Sequence, residues 1–404
     1  MYNVTEIKKD FPVLGRKING KPNVYLDTAA SAQKPQCMID KICHIYQHSY
    51  ANVHRGTYTL AEEITQEYEL ARQMVQHFIS AASPQEIVFT RGATEGINLV
   101  ASSWGLKNLS KEDEILISEA EHHANLVPWQ IVAQKTGAVL KVFKIADDGS
   151  FLPEAFEGSL TPRVKLVAIT AMSNVLGTLF PIKQIVQKAH QTGATVLVDA
   201  CQFAVHNKIN VQDLDADFLV FSGHKTYGPT GIGVLYGKKQ LLEQMPPYQA
   251  GGDMVENVTY QHTTYDVPPA RFEAGTPAIV EAIGLGQSLA YMENLKLEEI
   301  SAHEAELTKY MLSKADTCQG FKLIGPKQNR GGVFSFEFHH IHPQDLAFVL
   351  GKEGVAIRIG HHCAQPLVNR MGYTSVARAS FGLYTSTEDI DAFFEALKKA
   401  ERFF

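Results

Sequence analysis

The sequence predicts an α/β protein whose largely parallel sheet is covered by helices and followed by a smaller α+β domain. Three observations carry this. From about Glu86, short apolar runs alternate with amphipathic stretches. Past Glu281 that alternation gives way to two long helical patterns and then to shorter strands and helices. A chain of 404 residues also exceeds what one hydrophobic core organises, and 45% hydrophobic residues suffice to fill two.

The apolar runs come in the order EIVFT, EILIS, VKLVAIT, TVLVDA and ADFLVFS, and they are continuous, as strands buried on both faces require. Segments such as IKQIVQKAHQ supply the covering helices. Two long helical patterns span Glu281 to Ala315; GGVFSFEF, PQDLAFVL, GVAIRIG and a last helix through DIDAFFEALKKAERFF then make the smaller domain. The expected boundary lies near residue 280. It gives an N-terminal segment, 1–20, packing near the small domain, a large domain over 21–280 and a small domain over 281–404. The Gly/Pro-rich patch from Tyr248 to Pro277 reads as a long irregular excursion, which in a compact domain is more often functional than idle.

Composition narrows the function. With 37 basic and 43 acidic residues there is no large cationic surface for nucleic acid or anionic lipid, so small substrates are expected. Met1 to Asp10 is polar, and no stretch approaches the roughly 18 apolar residues of a membrane span, which points to the cytoplasm. The five cysteines (Cys37, Cys43, Cys201, Cys318 and Cys363) are scattered, with no C-x-x-C pair. That argues against a disulfide framework or a thiolate zinc site and leaves free thiols, one of which is a candidate nucleophile.

In an open parallel sheet, ligands bind beyond the carboxyl ends of the strands. TVLVDACQ ends in Asp199 and Gln202, and ADFLVFSGHK ends in Ser222, His224 and Lys225, so a carboxylate and a lysine share an edge. Pyridoxal phosphate needs a lysine to hold its aldehyde and an acid to keep its pyridine nitrogen protonated, and Lys225 and Asp199 suit those roles. It also needs a phosphate cradle. EIVFT followed by RGATEGINLVA offers Ala93 and Thr94 at a helix N-terminus, where free N–H groups and the helix dipole favour an anion. Taken singly, a Gly-Ala-Thr turn is an ordinary cap and a Gly-His-Lys a solvated turn. Their succession along one sheet edge makes the cofactor reading.

At these residues the sequence resembles the fold-type I pyridoxal-phosphate enzymes, and within them the group II cysteine desulfurases of the SufS/CsdA type. The matching segments run along nearly the whole chain: YLDTAASAQKP, NVHRGTYTLAEEIT, FTRGATEGINLVA, EAEHHANLVPWQ, MSNVLGT, VDACQ, SGHKTYGPTGIGVLYG, FEAGTP, RIGHHCAQPL and RASFGLYTS. The resemblance implies a large domain with a mainly parallel sheet of seven-stranded type. It makes Lys225 the cofactor lysine, Asp199 the pyridinium partner, Gln202 a hydrogen bond to the ring's phenolic oxygen and His122 a stacked imidazole and candidate acid/base. Thr94, Ser222 and His224 match phosphate ligands, with Thr276 offered by the second subunit of a homodimer. Asn174 and Arg378 match the groups that bind the amino-acid carboxylate, and Cys363 the cysteine that carries a persulfide.

The implied reaction converts L-cysteine, and by extension L-selenocysteine, to alanine and passes sulfur to a SufE- or SufU-type acceptor for iron–sulfur cluster assembly. The resemblance also suggests that the stretch from Ala250 to Asp266 is a hairpin overhanging the active-site entrance. Other readings are an aminotransferase or β-lyase of the same fold, which needs no Cys363, and a non-catalytic sulfur carrier. The chemistry of the residues weighs on these. An arginine such as Arg378 grips a carboxylate through two parallel hydrogen bonds, although in a strand it can also pair with a surface acid. Cys363 follows two histidines on what reads as an extended, accessible segment, where adjacent side chains point apart; this suits a nucleophile better than a zinc ligand. His339, His340 and His342 have no carboxylate or thiol in register and read as solvated.

Overall fold

A computed structural model describes residues 2–404. Seven strands form the main sheet: β1 (Ile87–Thr90), β2 (Glu114–Ser118), β3 (Val139–Phe143), β4 (Val164–Thr170), β5 (Thr195–Asp199), β6 (Phe218–Ser222) and β7 (Gly233–Gly237). Their spatial order is β1-β7-β6-β5-β4-β2-β3. The five runs read from the sequence are β1, β2, β4, β5 and β6, and nearly every side chain in them is buried. Two strands escaped that reading. Strand β3 lies at the sheet edge and leaves Val139 and Val142 about half exposed, so it has no continuous apolar run. Strand β7 is antiparallel to both β1 and β6. It crosses so near the turn after β1 that a Cβ on Gly233 would stand 2.4 Å from the Gly92 Cα.

The second sheet is antiparallel, in the order Phe321–Ile324, Val333–Phe338, Val376–Ser380, Arg358–Gly360. Its hydrophobic core begins at Leu307 in the C-terminal part but also takes in Val24 and Leu26, because Val24–Tyr25 pairs in parallel with Val355–Ala356. Lys8 reaches Asp389 at 2.6 Å, tying the N-terminal helix to the last one. The helix Ile279–Asn294 is buried nearly all round and packs on Thr59–Phe78 and Gln36–His44, so the core of the main sheet extends past residue 280. Among the described residues no helix is long and apolar enough to cross a membrane.

The excursion after Tyr248 contains a hairpin, Val255–Val258 with Thr263–Tyr265, and Tyr260 stands fully exposed near its tip. Its base borders a cavity with His54, Arg55 and Glu69. No hairpin residue lines the pocket of the same chain described below.

Candidate active site

The parallel register sets the ends of β4, β5 and β6 side by side, with Thr170 opposite Asp199 and Asp199 opposite Val220. Beyond those ends lies a cavity of about 230 Å³. Ala93, Thr94, His122, Asn174, Asp199, Gln202, Ser222, His224, Lys225, Cys363 and Arg378 all line it. Of the residues singled out from the sequence, only Thr276 is elsewhere. It is exposed and lines a separate cavity with Tyr68, Arg91 and Gln249. Its loop is anchored by Glu273, which takes paired hydrogen bonds from Arg72 at 2.7 and 3.0 Å and one from the Phe89 N–H at 2.7 Å.

Each residue is fixed by local contacts. Asp199 is buried and accepts the Cys201 N–H at 2.9 Å. The carbonyl of His224, just before Lys225, accepts from Ala32 N at 3.0 Å, Lys34 Nζ at 2.9 Å and Ser31 Oγ at 3.3 Å, so the lysine's backbone is clamped. The helix Ala93–Val100 opens onto the cavity, and Ser222 Oγ accepts the Ala93 N–H at 2.9 Å, joining the two halves of the expected cradle. His122 Nδ1 accepts the Ala124 N–H at 3.1 Å, which leaves the proton of the neutral ring on Nε2. Burial, reinforced by the Lys225 charge, holds that imidazole down at about 4.

Arg378 is 2% exposed; it donates to the Asn174 carbonyl at 2.9 Å and lies 3.4 Å from Asp27. Asn174 commits one amide hydrogen to the His362 carbonyl at 2.7 Å. Cys363 is exposed, but its segment is a turn rather than the expected extended run: His362 and Cys363 have φ of 52° and 55°. His361 and His362 therefore do not alternate as on a strand. Among the described residues no His, Cys, Asp and Glu group is arranged to hold a metal ion. Of the other histidines, His340 is exposed beside Glu337, His342 caps a helix by accepting Gln344 N–H, and His339 faces Glu401.

Several functional neighbours were not found in the sequence. Asp27, far from the site in the chain, pairs with Arg358, which lines the cavity. Glu121 is buried beneath His122, accepts from Ser118, Asn125 and the Thr170 N–H, and is pushed up to about 8 by burial. Both lie in segments that carry the family resemblance, YLDTAASAQKP and EAEHHANLVPWQ, but nothing in those segments announces their partners.

The buried histidines give the protein a pH signature. Burial lowers His122 and His224 to about 4 and His362 to about 3, and also lowers His123. The unfolded chain takes up these protons near pH 6.5 and the folded chain only well below, so this stability is complete above pH 6.5 and is lost as the pH falls. Glu121 and Glu293, raised by burial, and His54, raised by its hydrogen bond to Glu69, act oppositely. Glu121 offsets much of this between pH 7.5 and 5.5, so the histidines are read with it removed: the melting temperature of the cofactor-free Glu121→Gln protein should fall over that range, and a flat or rising profile would show that these histidines are not buried neutral.

Four buried atoms on the cavity wall residues, Gln202 Oε1, Asn174 Oδ1, His362 Nδ1 and Arg378 Nε, have no hydrogen-bond partner. An unmet buried polar group costs about 1–3 kcal/mol, so these are the atoms a polar ligand would satisfy. A phenolic pyridine aldehyde bearing a phosphate fits them: a carboxylate, an amine, an imidazole and a helix N-terminus line the same space.

Comparison with known proteins identifies the family. The aminotransferase class-V family model matches residues 24–393. A probable cysteine desulfurase of Halalkalibacterium halodurans is 48% identical over 402 residues, covering 100% of this chain and 99% of that protein. Another, from Mycolicibacterium paratuberculosis, is 47% identical over 399 residues, and this chain spans 58% of its length. The crystal structure of the Escherichia coli cysteine desulfurase CsdA, in an S-sulfonic acid form, superposes with a TM-score of 0.92 at 38% identity, covering 100% of both chains.

Proposed function

The chain belongs to the aminotransferase class-V family, and we propose that it works as a pyridoxal-phosphate-dependent cysteine desulfurase, taking sulfur from L-cysteine and leaving L-alanine. The observation that carries this reading is the meeting, in one cavity, of a clamped lysine, a buried aspartate, a neutral imidazole and an exposed cysteine. An aminotransferase or β-lyase would need the first three and not the fourth.

In this reading Lys225 and Asp199 hold the cofactor at its aldehyde and its ring nitrogen, Gln202 meets its phenolic oxygen, and Ala93, Thr94, Ser222 and His224 receive its phosphate. When bound, the cofactor supplies an electron sink for the charge left as the α-proton of the substrate departs. Arg378 and the remaining amide hydrogen of Asn174 bind the substrate carboxylate, which fixes the amino acid in one orientation. The Lys225 amine takes and returns the proton, and His122, neutral with its hydrogen on Nε2, is placed to donate one. Cys363 accepts the sulfur. The expected measurement is alanine formed from cysteine in equal amount to sulfide under excess thiol reductant; no alanine from the cofactor-loaded protein would end the reading.

Thr276, exposed on its own chain and outside the active-site cavity, suits a contribution across a homodimer, so an active dimer should appear by light scattering, and an active monomer would return Thr276 to a turn role. The exposed hairpin suits a docking site for a SufE- or SufU-type acceptor serving iron–sulfur cluster assembly. Shortening it should slow transfer to the acceptor more than alanine formation, and equal losses would count against docking. Five unpaired cysteines fit a reducing compartment, and we place the protein in the cytoplasm.

A further inference from the structure

The turn that carries Cys363 is held in a conformation it would not adopt alone. Two successive residues with side chains, His362 and Cys363, lie in the left-handed region, where Cβ crowds the following carbonyl oxygen. Such backbone persists only where its surroundings impose it. Here the ties come from the loops of the main sheet. Asn174, after β4, donates to the His362 carbonyl at 2.7 Å, and the His123 N–H, after β2, donates to the Cys363 carbonyl at 2.7 Å. The His123 side chain then reaches past the cysteine, and its Nε2 accepts the Gln365 N–H at 3.0 Å.

One residue thus brackets the turn, by main chain at the cysteine itself and by side chain two residues later. The bracket is rigid at its own end as well: His123 belongs to the short 3₁₀ turn His123–Asn125, capped by His122. The His122 imidazole and the Cys363 segment, both on the cavity wall, are therefore held through adjacent residues.

We propose that His123 is a positioning residue for the sulfur acceptor: its Nε2, by accepting the Gln365 N–H, holds the Cys363 turn at the reach that sulfur transfer needs. The role assigned to Cys363 rests on the desulfurase reading; the tie itself does not. A neutral ring is required, since only an unprotonated Nε2 accepts a hydrogen bond. Burial and the neighbouring His361 charge both favour that form.

The test compares His123→Ala, which removes the acceptor, with His123→Gln, whose side-chain oxygen can stand where Nε2 does. Hydrogen exchange of the peptide covering 361–368 reads the tie in wild-type and variant proteins, and cysteine turnover reads its consequence. For His123→Ala we expect exchange at Gln365 about tenfold faster. Its kcat should fall about 10- to 100-fold, with KM within threefold and the cofactor absorption retained. His123→Gln should recover most of both. The proposal is overturned if His123→Ala exchanges like wild type, if its kcat stays within twofold, or if His123→Gln fails as badly as alanine, which would make the imidazole itself the working group. Should the wild-type protein form no alanine, the desulfurase reading fails separately, and the exchange comparison alone decides the tie.

Discussion

Lys225→Ala should abolish alanine formation, by about 10⁴-fold or more, and should leave a cofactor that borohydride no longer fixes to the chain. Lys225 is the one lysine lining the cavity among the described residues. Its amine has two tasks in the proposed reaction, attachment and proton transfer, so alanine at this position removes both together. A near neighbour makes the experiment discriminating. Lys34 Nζ sits on the His224 carbonyl at 2.9 Å, and burial lowers it to about 8, so part of it is the neutral, nucleophilic amine at neutral pH. If borohydride fixed the cofactor to Lys34 in the Lys225→Ala protein, the assignment would fail. Asp199→Ala separates the tasks: fixation should survive and turnover should be lost, because an unprotonated pyridine draws electrons poorly.

The sequence made part of this site legible for a simple reason. Strands β2, β4, β5 and β6 are buried on both faces and read as continuous apolar runs, so their last residues could be located to within one or two positions. Asp199 and Ser222 are such residues, and the resemblance to a known family added His122, Asn174, Arg378 and Cys363. The edge strand β3 was lost because its outer face is exposed. The expected boundary near residue 280 cuts just inside a helix, Ile279–Asn294, that sides with the main-sheet core; apolar on every face, it gives a strong helical signal but no hint of which core it joins. Residues that act through others were not legible by role, although their segments carry the family resemblance. Asp27, Lys34, Glu121 and His123 matter through contacts with Arg358 and Arg378, the His224 carbonyl, Thr170 and the Cys363 turn, and nothing in their local sequence announces those partners. Cys363 itself was read as lying on an extended segment, and the left-handed turn became visible only with the hydrogen bonds that impose it.

Cys363→Ala should keep the cofactor absorption and substrate binding but lower alanine formation from cysteine by at least about 100-fold. The reason lies in where the electrons go. The substrate's carbon–sulfur bond breaks as the Cys363 thiolate forms a sulfur–sulfur bond; the bonding pair stays with carbon, which gains a proton and leaves as alanine. Without a thiolate the sulfur has no acceptor, and cysteine thiolate is a poor leaving group. Selenium leaves more readily from its weaker bond to carbon, so the same variant should keep a measurable part of any selenocysteine activity. No other cysteine is placed to substitute. Cys201 lines the cavity but is buried beside Asp199, and burial pushes its thiol far up, so its thiolate is scarce. Cys37 and Cys318 are also raised by burial, and with Cys43 they lie outside the cavity. Cys363 alone is both exposed and on the cavity wall, which it shares with Arg358 and Arg378. Mass spectrometry after a pulse of cysteine should therefore find the added sulfur on the peptide containing Cys363. Extra mass on Cys201, or alanine released at the wild-type rate by Cys363→Ala, would refute the sulfur-transfer step even with the cofactor site correct.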